Sequence, residues 1–135
     1  MVVAMSGMHM EILLIVAVCL FILFLPMIIG LMVMGGQKPV VLIHSQSGMT
    51  SKGYIGYCWT YYIFGCLVPL FRGEIGIALM HLVFTIISFG LFQIVMPFLY
   101  NRQYMTRQLT NGWELYDTAD MNDWARMKLG MNKVA

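Results

Sequence analysis

The chain has 135 residues, of which 60% are apolar and only 10% charged, with a mean hydropathy of +0.78. A soluble domain is about 45–50% apolar and about 25% charged, so the apolar excess here must meet lipid. The formal charge of +2 is too small to name a charged partner. The composition also excludes a disordered chain, a basic nucleic-acid module and a disulfide-stapled secreted domain.

The first charge-free apolar stretch runs from Ile12 to Met34, between Glu11 and Lys38. At about 1.5 Å per residue it is long enough to cross a hydrocarbon core of about 30 Å. A cleaved signal peptide is a poor reading of it, because Met1–Met10 holds no Lys or Arg and no small-residue cleavage site follows. Gly35-Gly36-Gln37-Lys38-Pro39 then ends the helix. The β-branched run Val40–Ile43, the turn His44–Gly48 and a second run to Ile55 predict a small surface β-hairpin. Two further apolar stretches follow, Gly53–Phe71 and Ile75–Tyr100. Read as crossings, they give an all-α membrane protein with three transmembrane helices and a polar helical C-terminal tail. Its divisions are an N-terminal helix over 1–36, the hairpin over 37–56, a transmembrane helical hairpin over 57–112 and a tail over 113–135. A re-entrant course for Gly53–Phe71 is the rival, since that stretch is short, aromatic and interrupted by Gly65 and Pro69.

With three crossings, Lys38, Lys52, Arg102 and Arg107 share one side and Arg72 lies on the other, which places the N-terminus outside and the C-terminus in the cytoplasm. Tyr54, Tyr57, Trp59, Tyr61 and Tyr62, with Phe98, Tyr100 and Tyr104, would form an aromatic belt at the headgroups. In the tail the spacing predicts a helix end at Asn111-Gly112. A short helix follows over about 120–129, capped by Asp120 and ended by Gly130, with Met121, Trp124 and Ala125 on one face. So short a helix needs a surface to dock on, and lipid or a partner chain is expected to supply it.

From the hairpin to Gly112-Trp113 the chain resembles a group of small bacterial membrane proteins known as HrgC-like. The likeness rests on Tyr57-Cys58-Trp59-Thr60, Phe64-Gly65, Val68-Pro69-Leu70-Phe71-Arg72-Gly73-Glu74, Phe89-Gly90 and Phe98-Leu99-Tyr100-Asn101-Arg102, over about 39–113. It implies a surface hairpin, a pair of membrane helices and a polar tail, and no reaction, cofactor or catalytic residue. The first helix departs from that pattern.

No catalytic, cofactor or metal set is legible. His81, Thr85 and Ser88 fall on one helix face, as a proton or ion path would require, or as hydrogen bonds between helices would. Arg72 and Glu74 flank the Gly73 turn, either as a functional pair or as an interfacial anchor. Cys19, Cys58 and Cys66 lack metal or redox spacing. The expectation is a non-enzymatic membrane subunit or adaptor of a bacterial inner-membrane or phage-associated assembly. Its partners would be lipid and other subunits or copies of itself, with no nucleic acid and no small-molecule substrate. Trp124, Met121, Trp113, Arg72, Glu74 and His81 are the candidate interaction residues. A small channel or transporter subunit built on the His81 stripe is the alternative.

Overall fold

The computed structural model describes residues 2–131, so the far end of the 113–135 tail lies outside the described residues. The chain order is α1 (Val2–Met34), β1 (Lys38–His44), β2 (Thr50–Ile55), α2 (Trp59–Phe64), α3 (Leu67–Phe71), α4 (Ile75–Ile87), α5 (Leu91–Thr110), β3 (Trp113–Leu115) and α6 (Ala119–Leu129). The architecture is mixed α/β, with an antiparallel sheet in the order β2-β1-β3.

This corrects the all-α, three-crossing reading and the multi-pass placement that followed from it. Among the described residues only one helix is long and apolar enough to cross a membrane, Gly7–Met34 within α1. The Gly53–Phe71 stretch begins inside β2, and the rest breaks at Gly65 into helices of 6 and 5 residues, each about 8–9 Å long. The Ile75–Tyr100 stretch breaks at Ser88-Phe89-Gly90, leaving an α4 of 13 residues and about 20 Å. Hydrogen bonding explains that second break. Ser88 Oγ accepts the Phe92 N–H at 3.0 Å, while the Gly90 N–H returns to the Thr85 carbonyl at 2.8 Å. Freed N–H groups at the break thereby find partners within the chain.

The sheet buries one face. Val40, Leu42 and Ile55 pack with Met105 of α5 and with Ala125 and Leu129 of α6. Alternation along β1 sends Val40 and Leu42 inward and leaves Pro39 and Val41 exposed. Trp113–Leu115 pairs antiparallel with β1, Leu42 facing Leu115 and His44 facing Trp113. The segment after α5 is therefore part of the sheet. A second core joins α2, α3 and α5 through Cys58, Tyr61, Val68, Met96, Tyr100 and Tyr104.

Three residues separate α1 from β1, and they are clamped. The Tyr57 N–H donates to the Gly35 carbonyl at 3.0 Å, and Gly36 and Tyr57 form a parallel bridge. Tyr57 lies wholly buried against Gly30, where a Cβ would overlap its ring. In an open helix, Val in place of Gly30 would by itself gain only about 0.3–0.5 kcal/mol. The buried ring cannot yield cheaply, so Gly30→Val is expected to cost about 1–2 kcal/mol net, read as a lowered melting temperature in mild detergent.

Candidate functional site

The described polar side chains converge where α1 ends and α5 passes beneath the sheet. Asn101, 1% exposed, is the hub. Its Nδ2 donates to Gln37 Oε1 at 3.2 Å and to the Gly56 carbonyl at 3.0 Å, and its Oδ1 accepts from Arg72 Nη1 at 3.0 Å. Thr60 Oγ1 donates to the same Gln37 oxygen at 3.3 Å. The Arg72 guanidinium lies 4.4, 4.8 and 5.0 Å from the rings of Tyr54, Tyr104 and Tyr100. Such an aromatic cage suits a weakly hydrated planar cation.

Arg72 and Glu74 do not pair with each other. Glu74 instead accepts two bonds from Arg107, both 2.7 Å, and one from Tyr100 Oη at 2.9 Å. The hydrogen-bonded Glu74 carboxylate holds Arg107 above the ordinary guanidinium range. The junction thus carries two guanidiniums and one carboxylate, all engaged in holding elements together.

His81 is also engaged. Its Nδ1 lies 2.9 Å from Tyr61 Oη, and its ring meets Phe92 and Tyr100 edge-on. Thr85 Oγ1 donates back to the His81 carbonyl at 2.8 Å, and Ser88 caps the helix break. The stripe finds its hydrogen-bond partners inside the fold.

Trp124, Met121 and Trp113 pack against the sheet core of their own chain, with Lys38 Nζ 5.2 Å from the Trp124 ring and His44 edge-on to Trp113 at 5.2 Å. Helix α6, which carries Met121 and Trp124, is capped by Thr118, whose Oγ1 accepts the Met121 N–H at 3.4 Å, while Asp120 sits in the first turn. We expect Trp124→Ala to detach α6 from the sheet at a cost of about 2 kcal/mol. Hydrogen exchange at the α6 amides should accelerate, and unchanged exchange would refute this docking.

Asp117 ties that helix to the sheet. Its carboxylate accepts the Val41 N–H at 3.0 Å and the Thr118 N–H at 2.8 Å, and these bonds pull its pKa below the ordinary value. A depressed carboxylate stabilises the fold above its unfolded pKa of about 4, and that contribution is lost as the pH falls through the lower folded value. Trp fluorescence of wild type should therefore report loosening of α6 below about pH 4 that Asp117→Asn does not share.

Sequence reasoning missed Asn101, Gln37 and Arg107. Three of the tyrosines assigned to a headgroup belt, Tyr57, Tyr61 and Tyr100, are wholly buried. The available signal was Asn101-Arg102 directly after an apolar run, where an uncharged amide has to find partners. Among the described residues no group of three or more His, Cys, Asp or Glu could hold a metal ion. Comparison with protein-family models, with curated proteins and with solved structures finds no match for this chain.

Proposed function

We propose that the protein is a non-enzymatic membrane anchor, a small subunit or adaptor that holds a larger assembly at a bilayer surface. The observation that carries this reading is the clamp between α1 and the sheet. The apolar helix enters the surface module through three residues fixed by Tyr57 and Asn101, so the module has a set height and orientation. A tether for a freely diffusing catalytic domain needs the opposite, a long flexible linker.

Retention of α1 is favoured over removal as a signal sequence. Tyr62 Oη donates to the Leu23 carbonyl and Lys128 Nζ to that of Met34 at 3.5 Å, so the module is built on the helix. Residues 1–37 hold no Lys or Arg, and all eight basic residues follow α1, which favours a cytoplasmic module and an external N-terminus. The partners would be protein subunits or copies of this chain, meeting the open face of the sheet at Pro39, Val41 and Ile43. The contacts of His81 favour a packed position over a channel, since Nδ1 bonds Tyr61 and the ring lies against Phe92 and Tyr100.

The test is extraction from native membranes in mild detergent, followed by mass measurement of the intact particle. A stoichiometric complex well above one 15.4 kDa chain is expected. A lone chain in its detergent shell would overturn the proposal.

A further inference from the structure

The apolar surface of this protein does not end with α1. Phe64, Phe71, Leu79, Val83, Ile87 and Phe89 are all exposed on the paired helices α2–α3 and α4–α5. A soluble monomer rarely exposes this much apolar surface. Each pair rises from the polar junction and returns to it. α3 ends beside Arg72, which bonds Asn101, and α4 begins at Glu74, which bonds Tyr100 and Arg107. Both hairpins thus have charged bases at the level where α1 gives way to β1, since Asn101 also bonds Gln37.

Their tips reach one depth on α1. Tyr62 of α2 bonds the Leu23 carbonyl, and Gln93 Nε2 joins α5 to the Tyr62 carbonyl at 3.0 Å. Leu23, Phe24, Tyr62, Phe89 and Leu91 line one groove of about 400 Å³. Leu23 is the central residue of the Ile12–Met34 stretch. From Met34 it lies about 16 Å along the helix, half of a hydrocarbon core of about 30 Å. The hairpin tips therefore stand at the bilayer midplane if α1 spans.

The tip itself is shaped for lipid. Phe89 is 97% exposed and holds a left-handed backbone, φ +51°, a conformation that costs a bulky residue about 1–2 kcal/mol. In water that strain would be joined by the cost of an exposed ring. In hydrocarbon the ring is solvated, and the N–H groups of Phe89, Gly90, Leu91 and Phe92 are all bonded across the break, which lowers the cost of placing it in lipid.

Building on the anchor reading above, we propose that α2–α5 is a re-entrant wedge. It inserts into the phospholipid acyl chains of the leaflet on the C-terminal side of α1, stops at the midplane and does not cross. The acyl chains are the occupant of the exposed face, which continues the lipid-facing surface of α1. Arg102 and Lys128, which line a second groove with Met34 and Phe98, place basic groups at the level of that leaflet's phosphates.

Nitroxide depth measurement tests this in vesicles of phosphatidylcholine and phosphatidylglycerol. Single cysteines are placed in a chain with Cys19, Cys58 and Cys66 replaced by Ala. Labels at Leu14, Ile22 and Met32 calibrate depth along α1. A label at Phe89 is expected to match Ile22 to within one helical turn, about 5 Å. A Phe89 label exposed to water, or as far across as Leu14, would overturn the wedge. An absent depth gradient along α1 would instead overturn the anchor reading itself. The unmodified chain supplies a second readout by hydrogen exchange in nanodiscs. Peptides over 84–94 should exchange far more slowly than those around Gly48, and equal rates would also overturn the wedge.

Discussion

Replacing Asn101 with Leu is expected to destabilise the fold by about 3 kcal/mol, one of the two largest effects anticipated here. The substitution keeps the volume but strands the Gly56 carbonyl and one Arg72 donor in a buried site. Each abandoned partner costs about 1–3 kcal/mol, whereas the gain from a buried Leu is partial because the pocket is polar. It also leaves Gln37 held by Thr60 alone, so the α1–β1 connection should loosen. Melting in mild detergent checks the stability, and hydrogen exchange over 35–57 checks the location. A variant as stable as wild type would remove Asn101 from the centre of the junction.

Glu74→Leu is expected to cost about as much, roughly 3 kcal/mol, for an electrostatic reason. Arg107 would keep its charge without its carboxylate, at a side-chain exposure of 31%, and Tyr100 would lose its acceptor. Removing one member of a largely desolvated pair is costlier than removing both, so Glu74→Leu combined with Arg107→Leu should recover part of the loss. An additive double variant would mean that the pair does not act as a unit.

These two residues illustrate what the sequence could and could not convey. Local signals were legible. The β-branched run at Val40–Ile43 and the Ser/Gly turn after it suffice for a hairpin, because side-chain alternation and turn chemistry act over a few residues. Gly112 and Gly130 mark helix ends by the same local logic, both with positive φ. The cap of α6 is Thr118, which accepts the Met121 N–H, and Asp120 instead sits in the first turn.

The fold class was misread because hydropathy reports apolar length and is blind to hydrogen-bonded breaks. Ser88-Phe89-Gly90 interrupts Ile75–Tyr100 through side-chain and backbone bonds at the break, and none of those residues is charged. β3 was hidden for a different reason. Trp113–Leu115 is too short to show alternation, and it becomes a strand only by lying against β1 some seventy residues earlier. The junction was hidden likewise, since Gln37, Arg72, Glu74, Asn101 and Arg107 meet through tertiary structure alone. Trp124 was correctly placed on an apolar helix face, but the surface it meets belongs to its own chain.

The claim that α1 alone crosses the membrane is tested most directly by side-specific labelling. Single cysteines at Gly7, Gln46 and Gly73 would be probed with a membrane-impermeant thiol reagent, in a chain otherwise free of cysteine. Gln46 is exposed in the hairpin turn. Gly73 has open space for the added side chain, at a backbone cost of about 1 kcal/mol for its left-handed conformation. One crossing predicts that Gly7 reacts from one side of the membrane and both Gln46 and Gly73 from the other. Reaction of Gly73 from the side of Gly7 would contradict the account.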